Sequence, residues 1–124
     1  MLDDRRRALA AKPADAGEPV RLRLWRAHVL ARMPDGLDKG IDEYQAVAED
    51  SAYPRCARVF ARMNQVFLLH KAGRCKEMLD LVDRVVREFP QVRPDKGHSL
   101  KWYINDAKRN LKKASDARDS KVQP

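Results

Sequence analysis

Apolar residues along the chain recur at the three- and four-residue spacing of amphipathic helices, and no convincing alternating strand pattern interrupts them. Proline or glycine separates each apolar segment from the next, which marks the ends of the helices. The pattern predicts five main helices, over about 18–33, 38–50, 54–72, 75–89 and 100–114. It therefore predicts an all-α fold.

The two ends of the chain differ from this helical region in their pattern. Residues 1–17 carry a few apolar side chains and then break at Pro13 and Gly17, so we expect an N-terminal arm or a short helix. Residues 18–114 predict a single helical domain, with Ser99 as the N-cap of its last helix. The polar residues 115–124 predict a flexible basic tail.

Apolar stripes predict which face of each helix is buried. On the first helix of the domain the apolar stripe is Leu22, Trp25, Val29 and Met33, of which Met33 is expected to face a groove. The helix over 54–72 has the widest apolar face, and it consists of Val59, Phe60, Met63, Val66, Phe67 and His70.

The first four helices of the domain form two similar units. Gly36 and Gly73 lie 37 residues apart, and Pro54 and Pro90 lie 36 residues apart. A period of this length is typical of stacked helical hairpins, in which each hairpin covers the apolar face of its neighbour.

These residues resemble the tetratricopeptide repeat, a helical hairpin of about 34 residues. Gly73 and Pro90 match the second unit, and the residues that match the first unit are Trp25, Gly36 and Ala48. The resemblance covers about residues 22–90. It implies a short right-handed stack of antiparallel helical hairpins with the last helix as a cap.

One departure from the family pattern concerns the close crossing of the two helices in each hairpin. The family places small residues there, whereas this chain has Val29, Ile41, Val66 and Met78. An ordinary bundle of antiparallel helices is therefore the alternative architecture.

Charge is unevenly distributed along the chain. Lys and Arg total 26 against 18 Asp and Glu, which gives a net charge of +8. The first helix of each unit is basic, with +2 over residues 18–37 and +5 over 55–74, and the second is acidic, with −4 over 38–54 and −1 over 75–90. Because the first helices line the groove in tetratricopeptide stacks, the resemblance implies a basic groove here.

Such a groove, with an apolar floor and an arginine rim, suits an acidic or amphipathic protein segment. The candidate partner-binding residues are Arg23, Arg26, Arg55, Arg58, Arg62, Met63, Asn64, Phe67 and His70. The alternative for the apolar members of this set is that they belong to the core.

Nucleic-acid binding is the alternative function, because the C-terminal 34 residues carry a net charge of +5. Lysine and arginine would neutralise phosphates there, and an aromatic ring would stack on a base. The candidate contacts are Lys101, Trp102, Lys108, Arg109, Lys112 and Lys113. Self-association into a homo-oligomer is a third hypothesis.

Motifs for chemistry are missing from the sequence. It has no phosphate-binding loop, nucleophile elbow or zinc spacing, and its three histidines are scattered. Cys56 and Cys75 are expected to stay unpaired, since they begin consecutive antiparallel helices. We therefore expect a non-enzymatic adaptor, chaperone-like protein or assembly factor without cofactor, metal or membrane segment, in the cytoplasm or another reducing intracellular compartment.

Overall fold

The computed structural model describes residues 19–92 and 98–122, and these residues form five α-helices and no strand. In chain order the helices are α1 (Val20–Arg32), α2 (Leu37–Glu49), α3 (Arg55–Lys71), α4 (Cys75–Glu88) and α5 (His98–Val122). Each helix packs against the next one, and α3 also contacts both α1 and α5. The predicted all-α class is confirmed. The predicted arm over 1–17 lies outside the described residues.

Proline and glycine set the ends of the first four helices close to where the sequence predicts them. Pro19 and Pro54 directly precede α1 and α3, with φ near −57° and −58° that suit entry into a helix. Gly73 follows α3 with φ of +75°, a left-handed conformation that glycine adopts without steric penalty. In the turn after α1 the left-handed residue is Asp35, with φ of +58°.

Helix α5 differs from the prediction at both ends. It begins at His98, so Ser99 lies inside the helix instead of capping it. It continues to Val122, through the stretch that the sequence analysis assigned to a flexible tail from residue 115. The physical reason is composition: residues 112–121 contain Lys, Ala, Arg and Asp but neither Pro nor Gly, so nothing terminates the helix there.

The core consists of two clusters of buried side chains. The cluster of the α1–α2 hairpin is made mostly of small residues, namely Ala27, Tyr44, Val47, Ala48 and Ala61. The cluster around α3, α4 and α5 contains larger aliphatic residues, namely Val66, Leu69, Cys75, Met78, Val82, Leu100 and Ala107. Cys56 and Cys75 are both free thiols.

Helix α1 exposes its apolar stripe, of which the sequence predicted Leu22, Trp25 and Val29 to be buried. The exposed fractions of Leu22, Trp25, Val29 and Met33 are 49%, 63%, 40% and 52%. Helix α1 instead buries Arg23 and Ala27. The prediction was wrong because α1 lies at one end of the described stack, where a narrow face of the helix suffices to meet α2.

The close crossing of α1 and α2 is at Ala31 and Gly40. A Cβ added to Gly40 would lie 2.6 Å from the Cβ of Ala31 and 2.8 Å from its backbone nitrogen. Small residues therefore do allow the two helices to approach, at different positions from Val29 and Ile41. None of the five described helices is long and apolar enough to cross a membrane.

Candidate functional site

A groove lies between α1 and α3, with α2 beneath it. It contains two pockets, of about 530 and 460 Å³, which share His28, Tyr44 and Asn64 and therefore form one continuous depression. On α1 the groove extends from Arg21 to Arg32, which corresponds to about 16 Å at 1.5 Å per residue. That length matches about three turns of a bound helix.

The first pocket of the groove is lined by exposed aromatic rings. Trp25 is 63% exposed and Phe60 is 53% exposed, one on each side of the pocket. The Trp25 ring stacks on His28 with 5.6 Å between centroids and an angle of 25° between the planes. Exposed aromatic side chains in a pocket are typical of a surface that a partner covers, because their burial contributes most of the affinity.

The second pocket continues the apolar floor toward the C-terminal ends of α1 and α3. Phe67 and Leu68 line it, and the Phe67 ring packs against Tyr103 of α5 at 4.9 Å between centroids. Tyr44 lies under both pockets, and its burial raises the pKa of the phenol, an effect that the charge of Arg32 opposes. The floor of the groove is thus held by three helices.

Positive charge surrounds the groove. Arg21 lines the first pocket, Arg32 and Lys71 line the second, and no Asp or Glu lines either one. These three exposed side chains form no ion pair with any residue of 19–92 or 98–122. Their charges are therefore available to the carboxylates of a ligand.

Some of the residues predicted from the sequence lie in this groove and some do not. Phe67 and Asn64 line it, and Asn64 donates a hydrogen bond of 2.9 Å to the carbonyl oxygen of Phe60. Met63 packs against the core cluster of α3–α5 instead. Arg55 is exposed on α3 but lines neither pocket.

Three of the predicted rim arginines contact neighbouring elements of the fold. Arg23 is 6% exposed and donates a hydrogen bond of 3.1 Å to the hydroxyl of Tyr53. Arg58 donates from Nε to the carbonyl oxygen of Ala48 at 2.9 Å, and its guanidinium lies over the Phe89 ring. Arg26 forms an ion pair of 3.9 Å with Glu43 of α2. Arg23 and Arg58 are therefore structural residues, which corrects their assignment to the groove.

Arg62 is the clearest correction, since its side chain is fully buried. It donates to Gln65 at 2.9 Å and lies 3.2 Å from Glu88 of α4 and 3.8 Å from Glu49 of α2. Its acidic partners are 13 and 26 residues away in the sequence, so a search for pairs within one helix could not find them. Arg62 joins three helices and cannot form a groove rim.

Four groove residues were not predicted from the sequence, namely Arg21, His28, Arg32 and Lys71. A signal for three of them was present, because Arg21, Trp25, His28 and Arg32 follow one another at steps of four, three and four residues along one helix face. The groove was predicted on the face of α1 that carries Arg23 and Arg26, whereas the structure has it on the face that carries Trp25.

His70 faces α5 instead of the groove. Its Nε2 lies 2.7 Å from Oδ2 of Asp106, and its ring meets Trp102 and Tyr103 edge-on at 5.8 and 4.8 Å. The His70 hydrogen bond lowers the pKa of the Asp106 carboxyl, and Arg109 lowers it further. This cluster fixes the N-terminal half of α5 to α3.

The six candidate nucleic-acid contacts all lie on exposed positions of α5. In the described part of the chain, no three His, Cys, Asp or Glu side chains come together in a way that could hold a metal ion. Comparison with protein-family models, curated proteins and solved structures finds no match to this chain. The fold and the site define the chain as an all-α helical stack with an apolar groove that positive charge surrounds.

Proposed function

We propose that this chain is a protein-interaction module, an adaptor, chaperone-like protein or assembly factor, that binds an acidic amphipathic segment in the α1–α3 groove. The observation that carries the proposal is the combination of exposed Trp25 and Phe60 with the cations Arg21, Arg32 and Lys71, which form no ion pair within the described residues. An apolar face of the ligand would cover the two rings, and its carboxylates would meet the three cations.

The architecture we infer for this function is a short stack of tetratricopeptide-like hairpins. Two observations support it: α3 contacts both α1 and α5, and small residues lie where α1 crosses α2. In such a stack the first helices of successive hairpins lie side by side and form an extended binding surface.

Peptide selection tests the proposed function without knowledge of the natural partner. A displayed library of random peptides of about 12 residues, or three helical turns, is selected on the full chain. We expect the enriched peptides to combine Asp or Glu with bulky apolar residues at helical spacing. Selection without such enrichment would contradict the proposal.

A charge-reversed variant locates the binding on the protein. Arg21→Glu with Arg32→Glu should abolish binding of the selected peptides, whereas the matched change Arg118→Glu on α5 should leave it intact. All three arginines are exposed, so thermal unfolding should not change. Equal binding by the groove variant would overturn the assignment of the site.

Tryptophan emission gives a direct readout of the groove. The chain has two tryptophans, so in a Trp102→Phe background the emission comes from Trp25 alone. A bound peptide that covers the exposed Trp25 ring should shift this emission to shorter wavelength. An unchanged emission with a tightly bound peptide would place the ligand elsewhere.

A further inference from the structure

Helix α5 presents a second charged surface, separate from the groove. Lys101, Lys108 and Lys112 follow one another at steps of seven and four residues, so they form a stripe along one side of the helix. Arg109 lies beside the stripe. From Lys101 to Lys112 the stripe is about 16 Å long at 1.5 Å per residue.

The lysines of this stripe have no partners within the described chain. All three are exposed, and none forms an ion pair with a residue of 19–92 or 98–122. The one acidic residue of α5 before position 116 is Asp106, which contacts His70 of α3 at 2.7 Å and Arg109 at 3.3 Å, so it partly neutralises Arg109 but not the three lysines. Like charges held together without neutralisation favour a polyanionic ligand.

The C-terminal half of α5 extends away from the stack. Every side chain from Lys108 to Asp119 is exposed, whereas Leu100 and Ala107 in the first half are buried. Lys108, at the start of this half, also lines a depression of about 870 Å³ between α4 and α5, together with Val86 and Ile104. From Arg109 to Asp119 the helix is a mainly charged rod, and such a rod can follow a phosphate backbone.

An exposed aromatic ring lies next to the stripe. Trp102 is 52% exposed, although its ring meets Tyr103 edge-on at 5.0 Å and His70 at 5.8 Å. His70 is in turn bonded to Asp106 at 2.7 Å, so the neighbours of the tryptophan are themselves held in place. The ring is therefore positioned in advance, with surface available for stacking.

We propose that α5 binds single-stranded nucleic acid, with Lys101, Lys108, Arg109 and Lys112 on the phosphates and Trp102 stacked on a base. A positively charged surface beside an exposed aromatic ring is the combination that single-strand binding uses. The unstacked bases of a single strand are accessible to Trp102, whereas those of a duplex are not. The site is independent of the α1–α3 groove.

Fluorescence anisotropy with labelled single-stranded oligonucleotides of about 12 thymidine or uridine nucleotides tests the proposal on the full chain. Four phosphate contacts predict an affinity that falls about 50-fold between about 50 and 200 mM salt, from a slope near −0.7 per contact. A duplex of the same length should bind more weakly. Absence of binding at the lower salt concentration, or tighter binding of the duplex, would overturn the proposal.

Matched lysine variants assign the binding to α5. Lys108→Ala with Lys112→Ala removes two contacts, so the salt slope should change from about −2.8 to about −1.4, and the affinity of the variant should fall only about sevenfold, instead of about 50-fold, between about 50 and 200 mM salt. The control, Lys39→Ala with Lys76→Ala, removes two exposed lysines from α2 and α4 and should leave the slope unchanged. An equal effect of both pairs would indicate only nonspecific attraction and would reject the site.

The stacking role of Trp102 needs its own readout. In a Trp25→Phe background the remaining emission reports Trp102, and a bound oligonucleotide should quench it. Trp102→Leu should lower the affinity at least tenfold without changing the salt slope, and Trp102→Phe should restore part of it. A salt-dependent affinity that is insensitive to both changes, or full competition by polyglutamate, would overturn the proposal.

Discussion

The α1–α2 and α3–α4 hairpins use their basic residues in different ways. In the second hairpin Arg62 is fully buried between Glu49 and Glu88, and Arg74 contacts Asp38 and Glu77. In the first hairpin Arg23 is buried beside Tyr53, but Arg21 and Arg32 are exposed beside a groove. An excess of basic residues in the sequence therefore does not show whether a cation meets a ligand or a neighbouring helix.

The two hairpins also differ in how they use apolar residues. Helices α3 and α4 bury valine, leucine and methionine, whereas α1 buries Ala27 and leaves Trp25 and Met33 exposed. The first hairpin combines a close approach at Gly40 with the buried Tyr44 and Val47, and the second combines larger apolar volume with the Arg62 network. Substitutions should therefore affect the two hairpins through different mechanisms.

The largest effect should come from Arg62→Ala. Removal of the fully buried Arg62 side chain leaves a cavity between the three helices, while Glu49 and Glu88 keep Arg84 as a partner, so we expect the free energy of unfolding to fall by about 2–5 kcal/mol, mainly from the lost packing. Denaturation with urea measures the change.

Two controls separate charge from volume at this position. Arg62→Met keeps most of the side-chain volume and should cost less than Arg62→Ala, since a buried ion pair is often replaceable by apolar packing. Arg26 of the first hairpin forms its ion pair at a partly exposed position, so Arg26→Ala should change stability by less than about 1 kcal/mol. Equal losses in the two hairpins would remove the distinction between them.

The next largest loss of stability should come from Gly40→Ala, which tests the close crossing of the two helices in the first hairpin. In Gly40→Ala the new Cβ meets the backbone of Ala31 at 2.8 Å, so α1 and α2 must move apart. We expect a loss of about 1–3 kcal/mol, even though alanine favours helix more than glycine does. Ala46→Val, on an exposed position of the same helix, is the control and should stay within about 0.5 kcal/mol.

A smaller loss of stability should come from substitutions of Gly73, which test the difference between the turn after α3 and the turn after α1. Gly73 and Asp35 both have positive φ, at +75° and +58°. Gly73→Ala should lower the stability by about 1 kcal/mol, because a Cβ disfavours the left-handed conformation. Gly73→Asn should cost less, since Asn and Asp tolerate this region, as Asp35 does in the first turn. Thermal unfolding measures both, and an equal loss for the two variants would contradict the explanation.

The sequence predicted the helices better than their faces. Pro19, Pro54 and Gly73 determine helix ends by local backbone chemistry, and local chemistry can be read from neighbouring residues. The partners of Arg62 could not be found in this way, because they depend on how three helices meet. The sequence predicted a groove with an apolar floor and basic edges, but on another face of α1. The reason is that the apolar stripe with Trp25 has the same sequence pattern whether a partner or the core covers it.

The smallest effect concerns the His70–Asp106 contact between α3 and α5, for which the first hairpin shows no counterpart among the described residues. The contact lowers the pKa of Asp106 from its usual 3.8, so the unfolded chain takes up a proton at this carboxyl at higher pH than the folded chain does. The stabilisation is therefore present above the usual pKa and is lost as the pH falls through the lower value in the folded protein.

We expect Asp106→Asn to have a lower melting temperature than the parent near neutral pH, and the difference to shrink below about pH 4. Asp116→Asn, at an exposed position farther along α5, is the control and should show no such convergence. A constant difference between the parent and Asp106→Asn across the acid range would show that the hydrogen bond does not depend on the charge of Asp106.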